Sequence, residues 1–376
     1  MGRSWLLTRL HMGLLRDSQE LGSTYVVERY LGQGSFAEVY RVQHRFLGRQ
    51  AMKVLKAGGA TQAEMEEMLG EALLLSRIGH PNIVRVFDAN IIKIGGIEYG
   101  YFTMEYVPGG TLDRFWRSYE GKLMPVAEAI EVLKQMCSGI AVAHAEDPPI
   151  IHRDIKPHNT LVGYDGAGLR IKISDFGLAK RVNPLTFLAS SKGTLSYKPP
   201  EAFEDMDSPA ADVWALGTTL YLLLTDTLPY PGLEERDLTD GTRFLQELRP
   251  ASVYNINVNA QLDEIVSRCL AKEPATRYAT AQELLQDLEA WSPESVTAAS
   301  TWTASSREKP STPALERQAK ESRSPDQLLE EALELGQNPA KLIAAADMLE
   351  QAITMAPKLR EEYASKLKLW RRGMSM

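Results

Sequence analysis

The sequence predicts an α+β fold in which strands come first and helices follow. Three observations carry this reading. Tyr25 to Leu31, and again Glu38 to Gln43, alternate apolar and polar residues with the two-residue period of a strand. Ile91 to Met104 reads as a hairpin turning at Gly95-Gly96. Pro125 to Ala145 instead sets Ile130, Leu133, Met136, Cys137, Ile140, Val142 and Ala143 at helical spacing. A chain of 376 residues can bury one large core or two modest ones, with sequence left over.

Composition narrows the function classes. A formal net charge of −7 argues against nucleic acid or an anionic membrane as partner of the whole protein. The two cysteines, Cys137 and Cys269, sit inside apolar helical runs, as buried thiols of a reducing compartment do. No run reaches transmembrane length, and Arg3, Arg9 and His11 interrupt what could be a signal peptide's apolar core. Leu6 stands where myristoylation would want Ser or Thr after Met1-Gly2. The expectation is a cytoplasmic protein whose residues 1–24 form a flexible leader, with Met12 as an alternative start.

In chain order, the first strand runs into Gly32-Gln33-Gly34-Ser35-Phe36-Ala37. A G-x-G alone is weak, since many are hairpin turns. Here a strand follows it, where a dinucleotide-binding fold would begin a helix. No G-x-x-x-x-G-K-[ST] occurs, so a P-loop is excluded. Ala51 to Leu55 is an apolar strand with Lys53 inside it, and a lysine there is as easily a solvated one. Ala63 to Ile78 has helical spacing and contains Glu71, with Glu64, Glu66 and Glu67 as competing acids on its first turns.

His152-Arg153-Asp154-Ile155-Lys156-Pro157-His158-Asn159 spaces an acid, a cation and an amide along one loop, and Asp175-Phe176-Gly177 follows. Phosphoryl transfer asks for these groups: a carboxylate for the attacking hydroxyl, a cation for the moving phosphate, oxygens for metal ions. The run resembles the catalytic loop and metal motif of eukaryotic-type protein kinases. The resemblance covers about residues 25–291 and implies a bilobal fold, with a five-stranded antiparallel small lobe plus one helix over 25–105 and a mainly helical large lobe over 106–291.

The resemblance also implies roles. Asp154 is the base, Lys156 the phosphate screen, and Asn159 and Asp175 the ligands of Mg2+. Gly32 and Gly34 let the backbone approach the phosphates of ATP, with Ala37 in place of the family's third glycine. Lys53 meets the α- and β-phosphates with Glu71 as its partner. Val39 and Ala51 cover the adenine, Met104 is the gatekeeper, and the hinge from Glu105 to Val107 grips the ring through its backbone. Glu201 in Pro199-Pro200-Glu201 pairs with Arg277, and Asp212 accepts hydrogen bonds from the catalytic loop. Lys156-Pro157 and Gly193-Thr194 are similar to Ser/Thr kinases, which implies protein substrates. Arg153 beside the base implies a phosphate on the activation segment, for which Thr186, Ser190 and Ser191 are candidate acceptors; Thr194 is expected to contact Asp154 and Lys156.

Residues 292–323 are rich in Ser, Thr, Ala, Pro and charge without apolar period, which reads as a disordered linker. Order returns over 324–372 as three short helices. Ala345, Leu349, Ala352, Ile353 and Pro357 resemble half of a tetratricopeptide unit, and a generic helical hairpin fits equally. So short an array rarely buries its own core, so its apolar face is expected to dock on the kinase domain, a second copy or a partner. Two rival readings remain: a pseudokinase acting as a nucleotide-binding scaffold, and a small-molecule phosphotransferase, which would not carry Lys156-Pro157, Pro199-Pro200-Glu201 and Arg277 together.

Overall fold

The computed structural model describes residues 13–293 and 325–370, apart from 35–36, 57, 59–68, 71–77, 120–122, 167, 177–194, 205–206, 232–240, 337–344 and gaps of one to three residues thereafter. The chain forms two compact units, one from Met1–Tyr106 with Asp175–Lys192, the other from Val107–Ser174 with Gly193–Met376.

The first unit is an antiparallel sheet: β1 (Glu20–Leu21), β2 (Tyr25–Gln33), β3 (Ala37–His44), β4 (Gly48–Leu55), β5 (Val86–Ile94) and β6 (Ile97–Glu105), ordered β1-β2-β3-β4-β6-β5. Alternation sends Tyr25, Val27, Tyr40, Val42, Met52, Val54 and Tyr101 into one core. Register then fixes what lies opposite what: Val39 faces Lys53, and Ala51 faces Met104. The sheet has six strands where five were expected, because the leader is not free from residue 13 onward. Leu15 and Leu21 join the core, the Leu14 N–H donates to Glu38 Oε2 at 2.8 Å and the Leu15 N–H to the Tyr40 hydroxyl at 3.0 Å. Residues 1–12 lie outside the described part, as does most of the helix expected over 63–78, Glu71 included.

In the second unit, α1 (Leu112–Arg117) and α2 (Val126–His144) precede the hairpin of β7 (Thr160–Asp165) and β8 (Gly168–Ile173). Helices α3 (Pro209–Thr225), α4 (Ala260–Cys269) and α5 (Ala281–Ala290) follow, and α2 packs against α3, α5 and β8. Almost every residue of α3 is buried, which its all-round apolar sequence Val213-Trp214-Ala215-Leu216 through Leu224 requires. Glu201 and Arg277 meet as expected, with Arg277 Nη2 at 2.8 Å from Glu201 Oε2. Arg277 also donates to the carbonyls of Ala271 and Lys272 and lies over the Trp214 ring. A buried pair so fully bonded is architectural, since removing one member would strand the other's charge.

The tail begins with α6 (Pro325–Leu335). Ala332, Ala345, Ala346, Leu349 and Trp370 are buried together. A Cβ at Gly336 would overlap the Trp370 ring, so glycine there admits the indole as well as ending the helix. The tail therefore has buried residues of its own, where so short an array was expected only rarely to bury a core. Among the described residues, no helix is long and apolar enough to cross a membrane.

Candidate active site

In the first unit, β2 and β3 are joined across the glycine turn, where the Gly34 N–H donates to the Ala37 carbonyl at 2.9 Å. Ser35 and Phe36, at its tip, lie outside the described residues. A Cβ at Gly32 or Gly34 would meet nothing within 4 Å, and neither glycine has a positive φ. Among the described residues, neither packing nor backbone conformation demands glycine at these two positions. Lys56 bonds both the Gly34 carbonyl and Gln33 Oε1 at 2.9 Å, a tether with no signal in the sequence.

Lys53 Nζ lies 2.7 Å from Asp175 Oδ1. Two sequence-predicted residues, far apart in the chain, thus meet directly; Glu71, the predicted partner, is outside the described part. Asp175 has φ of 62°, a left-handed conformation rare for a side-chain-bearing residue, and Phe176 after it is buried. Ala51 and Met104 are buried and Val39 is half-buried. The Glu105 N–H is bonded to the Arg85 carbonyl at 2.8 Å, which pins the start of the hinge.

In the second unit, His152 is fully buried. Its Nε2 lies 3.0 Å from the Ser174 carbonyl, which can only accept, so Nε2 carries the proton. Its Nδ1 is then free to accept the Asp154 N–H at 3.2 Å. Asp212 Oδ2 accepts the His152 N–H at 2.7 Å and Oδ1 the Arg153 N–H at 2.9 Å, as the resemblance implied. His144 Nε2 adds a third donor at 3.1 Å. Burial would raise the pKa of Asp212, but the His144 hydrogen bond, the neighbouring imidazoles and the backbone N–H outweigh it and hold the carboxyl below its ordinary value.

Around this frame the reactive groups gather. Both oxygens of Asp154 lie 2.9 Å from Lys156 Nζ, and Asn159 Nδ2 donates to Asp154 Oδ2 at 2.7 Å and to its carbonyl at 2.8 Å. With its nitrogen so committed, the Asn159 amide turns its oxygen away from Asp154. Val107 is buried beside Gly163, where a Cβ would come 3.2 Å from Val107 Cγ1.

Asn159 and Asp175 each offer a hard oxygen. Oxygens of this kind are the ones a divalent cation of the magnesium type takes. Among the described residues, no three His, Cys, Asp or Glu side chains converge into a cage able to hold a metal unaided. Sequence reasoning missed three groups near the loop: Asp207, whose Oδ2 lies 2.9 Å from Arg153 Nε, Lys198 and Arg243. Thr186, Ser190, Ser191 and Thr194 lie outside the described residues.

Known proteins resemble this chain in sequence and in fold. Residues 25–288 match the model of the protein kinase domain. The serine/threonine-protein kinase PrkC of Bacillus subtilis is 33% identical over 276 residues, which are 72% of this chain and 41% of PrkC. The serine/threonine-protein kinase PknB of Mycobacterium tuberculosis is 33% identical, over 71% of this chain and 43% of PknB. The crystal structure of the Mycobacterium tuberculosis PknI kinase domain superposes with a TM-score of 0.55 at 27% identity, over 73% of this chain and 99% of that domain. The chain thus spans about two-fifths of the length of the curated relatives it matches. With an antiparallel sheet in one unit, a helical second unit and the ordered motifs between residues 25 and 288, this chain belongs to the protein kinase domain family and has its fold.

Proposed function

We propose that the protein is a serine/threonine protein kinase that transfers the γ-phosphoryl group of Mg-ATP to hydroxyls of protein substrates. The observation that carries this reading is Asp154, a carboxylate held by Lys156 and Asn159 on a loop whose backbone is pinned by Asp212. A substrate hydroxyl oxygen attacks the γ-phosphorus as its proton passes to Asp154, and the bond to the β–γ bridging oxygen breaks to release ADP. Lys156 gives its charge to the moving phosphoryl group. Lys53 holds the nucleotide's phosphates, while Val39, Ala51, Met104 and the hinge from Glu105 to Val107 enclose adenine. Asn159 and Asp175 would hold magnesium, which supplies charge neutralisation at the β- and γ-phosphates when bound.

Purified protein incubated with γ-labelled ATP and a generic protein substrate tests the reading. Lys53→Met should transfer roughly 10²–10³-fold more slowly than wild type, as loss of one preorganised cation from a phosphate site predicts. Transfer undiminished in that variant would place the activity elsewhere, and silence of the wild type would restore the pseudokinase reading.

We assign the protein to the cytoplasm, on the two buried thiols and the lack of a membrane-crossing helix among the described residues. Residues 324–372 are assigned to a partner or to self-association, since they carry a core separate from the motifs of transfer. Deleting 324–376 should leave transfer to a generic substrate largely intact; complete loss of basal activity would contradict that separation.

A further inference from the structure

The base Asp154 hangs from one peptide group, the link between Arg153 and Asp154, and its two sides are held by different residues. On one side, the Asp154 N–H donates to His152 Nδ1 at 3.2 Å, a long bond. On the other, the Arg153 carbonyl accepts from Lys198 Nζ at 2.6 Å. Arg153 has φ of 67°, a left-handed conformation that persists in a non-glycine residue only where neighbours over-determine it. Its N–H is fixed by Asp212 and its guanidinium by Asp207, so Lys198 supplies the hold on the remaining polar group of that residue.

A lysine ordinarily lays its stem on the surface and keeps its ammonium in water. Lys198 instead turns its ammonium to the Arg153 carbonyl and helps line a small pocket with Arg153, Asp154, Tyr197, Asp207 and Asp212. Burial lowers its pKa from the ordinary lysine value, and Asp154, Asp207 and Asp212 oppose that shift. Its backbone is braced in turn. The guanidinium of Arg243, 1% exposed, donates to the carbonyls of Lys198 and Leu195 at 2.7 Å and of Ser196 at 3.1 Å. Arg243 also lies against the Phe244 ring. A buried cation is thus spent on three backbone carbonyls of the short stretch from which Lys198 reaches the catalytic loop.

We propose that Lys198 is a positioning residue for phosphoryl transfer: its ammonium, braced by Arg243, holds the Arg153–Asp154 peptide so that the base stays aligned with the attacking hydroxyl. This rests on the kinase reading above. Lys198 touches neither nucleotide nor hydroxyl in this account, so its removal acts on turnover and spares nucleotide binding.

The test compares wild type, Lys198→Met, which keeps the stem without the donor, and Lys198→Arg, which restores donor and charge. Initial rates give kcat and the KM for ATP, and amide hydrogen exchange follows the Asp154 N–H. Lys198→Met should lower kcat about 10- to 100-fold with the KM for ATP within about twofold of wild type, the signature of a slightly misplaced reacting group. Its Asp154 amide should exchange faster, and Lys198→Arg should recover both. A Lys198→Met variant with wild-type kcat overturns the proposal. If that variant does not fold, as judged by its thermal melt, Lys198→Arg decides alone: a folded arginine variant with kcat no better than a tenth of wild type also overturns it. Wild-type protein that transfers no phosphate overturns the positioning role together with the kinase reading, and the wild-type rate itself tells that case from failure of the positioning role alone.

Discussion

Replacing Asp154 with Asn should lower kcat by roughly 10²–10⁴-fold, the range that a positioned general base contributes. An amide of the same shape can still be reached by Lys156 and Asn159, so the loop should remain in place, but it cannot accept a proton from the attacking hydroxyl. In the wild-type protein both Asp154 oxygens face Lys156, and one also receives the Asn159 amide. That arrangement fixes the orientation of the carboxylate. Nucleotide affinity should be nearly unchanged, because the Lys53–Asp175 pair and the glycine turn belong to the other unit and make no use of Asp154. Steady-state rates at saturating ATP, beside equilibrium binding of a fluorescent nucleotide, separate the two effects. A variant that loses affinity in step with turnover would mean that Asp154 supports binding; one that keeps turnover within tenfold would remove it from the base's role.

What was legible in the sequence was chemistry written in side-chain identity at fixed spacing. Asp154, Lys156 and Asn159 come together as read, Asp212 takes the loop N–H groups as read, and Glu201 meets Arg277 as read. The antiparallel sheet was legible where alternation marks a buried face, as at Tyr25 and Val27 of β2, whereas β3 and β4 bury residues on both faces. β1 was not, because two residues have no period, and Leu14 and Leu15 are held by bonds to Glu38 and Tyr40 respectively that no local pattern announces. Lys198 and Arg243 were not legible for a different reason. Their partners are backbone carbonyls, which every residue has, so nothing in the sequence marks which ones a cation will seek. The tail's buried cluster involves Trp370 lying against Gly336, a contact that repeat-counting does not consider.

Asp212→Asn should destabilise the protein by about 3 kcal/mol at neutral pH, the range for a buried carboxylate that loses charge-assisted bonds and meets unsatisfied donors. Asp212 is 1% exposed and accepts three donors, from His144, His152 and Arg153, and has no donor of its own to place. An amide can accept on one branch only. Its other branch sets an NH₂ against a donor, so the Arg153 N–H is left unmet in one orientation and both the His144 and His152 donors in the other. The pH dependence identifies the charge as the cause. The folded-state pKa of Asp212 lies below its ordinary value, so its contribution is complete above the unfolded-state pKa of about 4 and disappears as pH falls through the folded one. The gap between wild type and Asp212→Asn, measured by urea unfolding, should therefore stay constant from about pH 8 to pH 5 and narrow below about pH 4. Because the same carboxylate fixes the left-handed Arg153 next to the base, turnover at permissive temperature should fall alongside stability. A gap that does not narrow in acid would trace the lost stability to packing, and an Asn variant that keeps full turnover would show that Arg153 holds its conformation without Asp212.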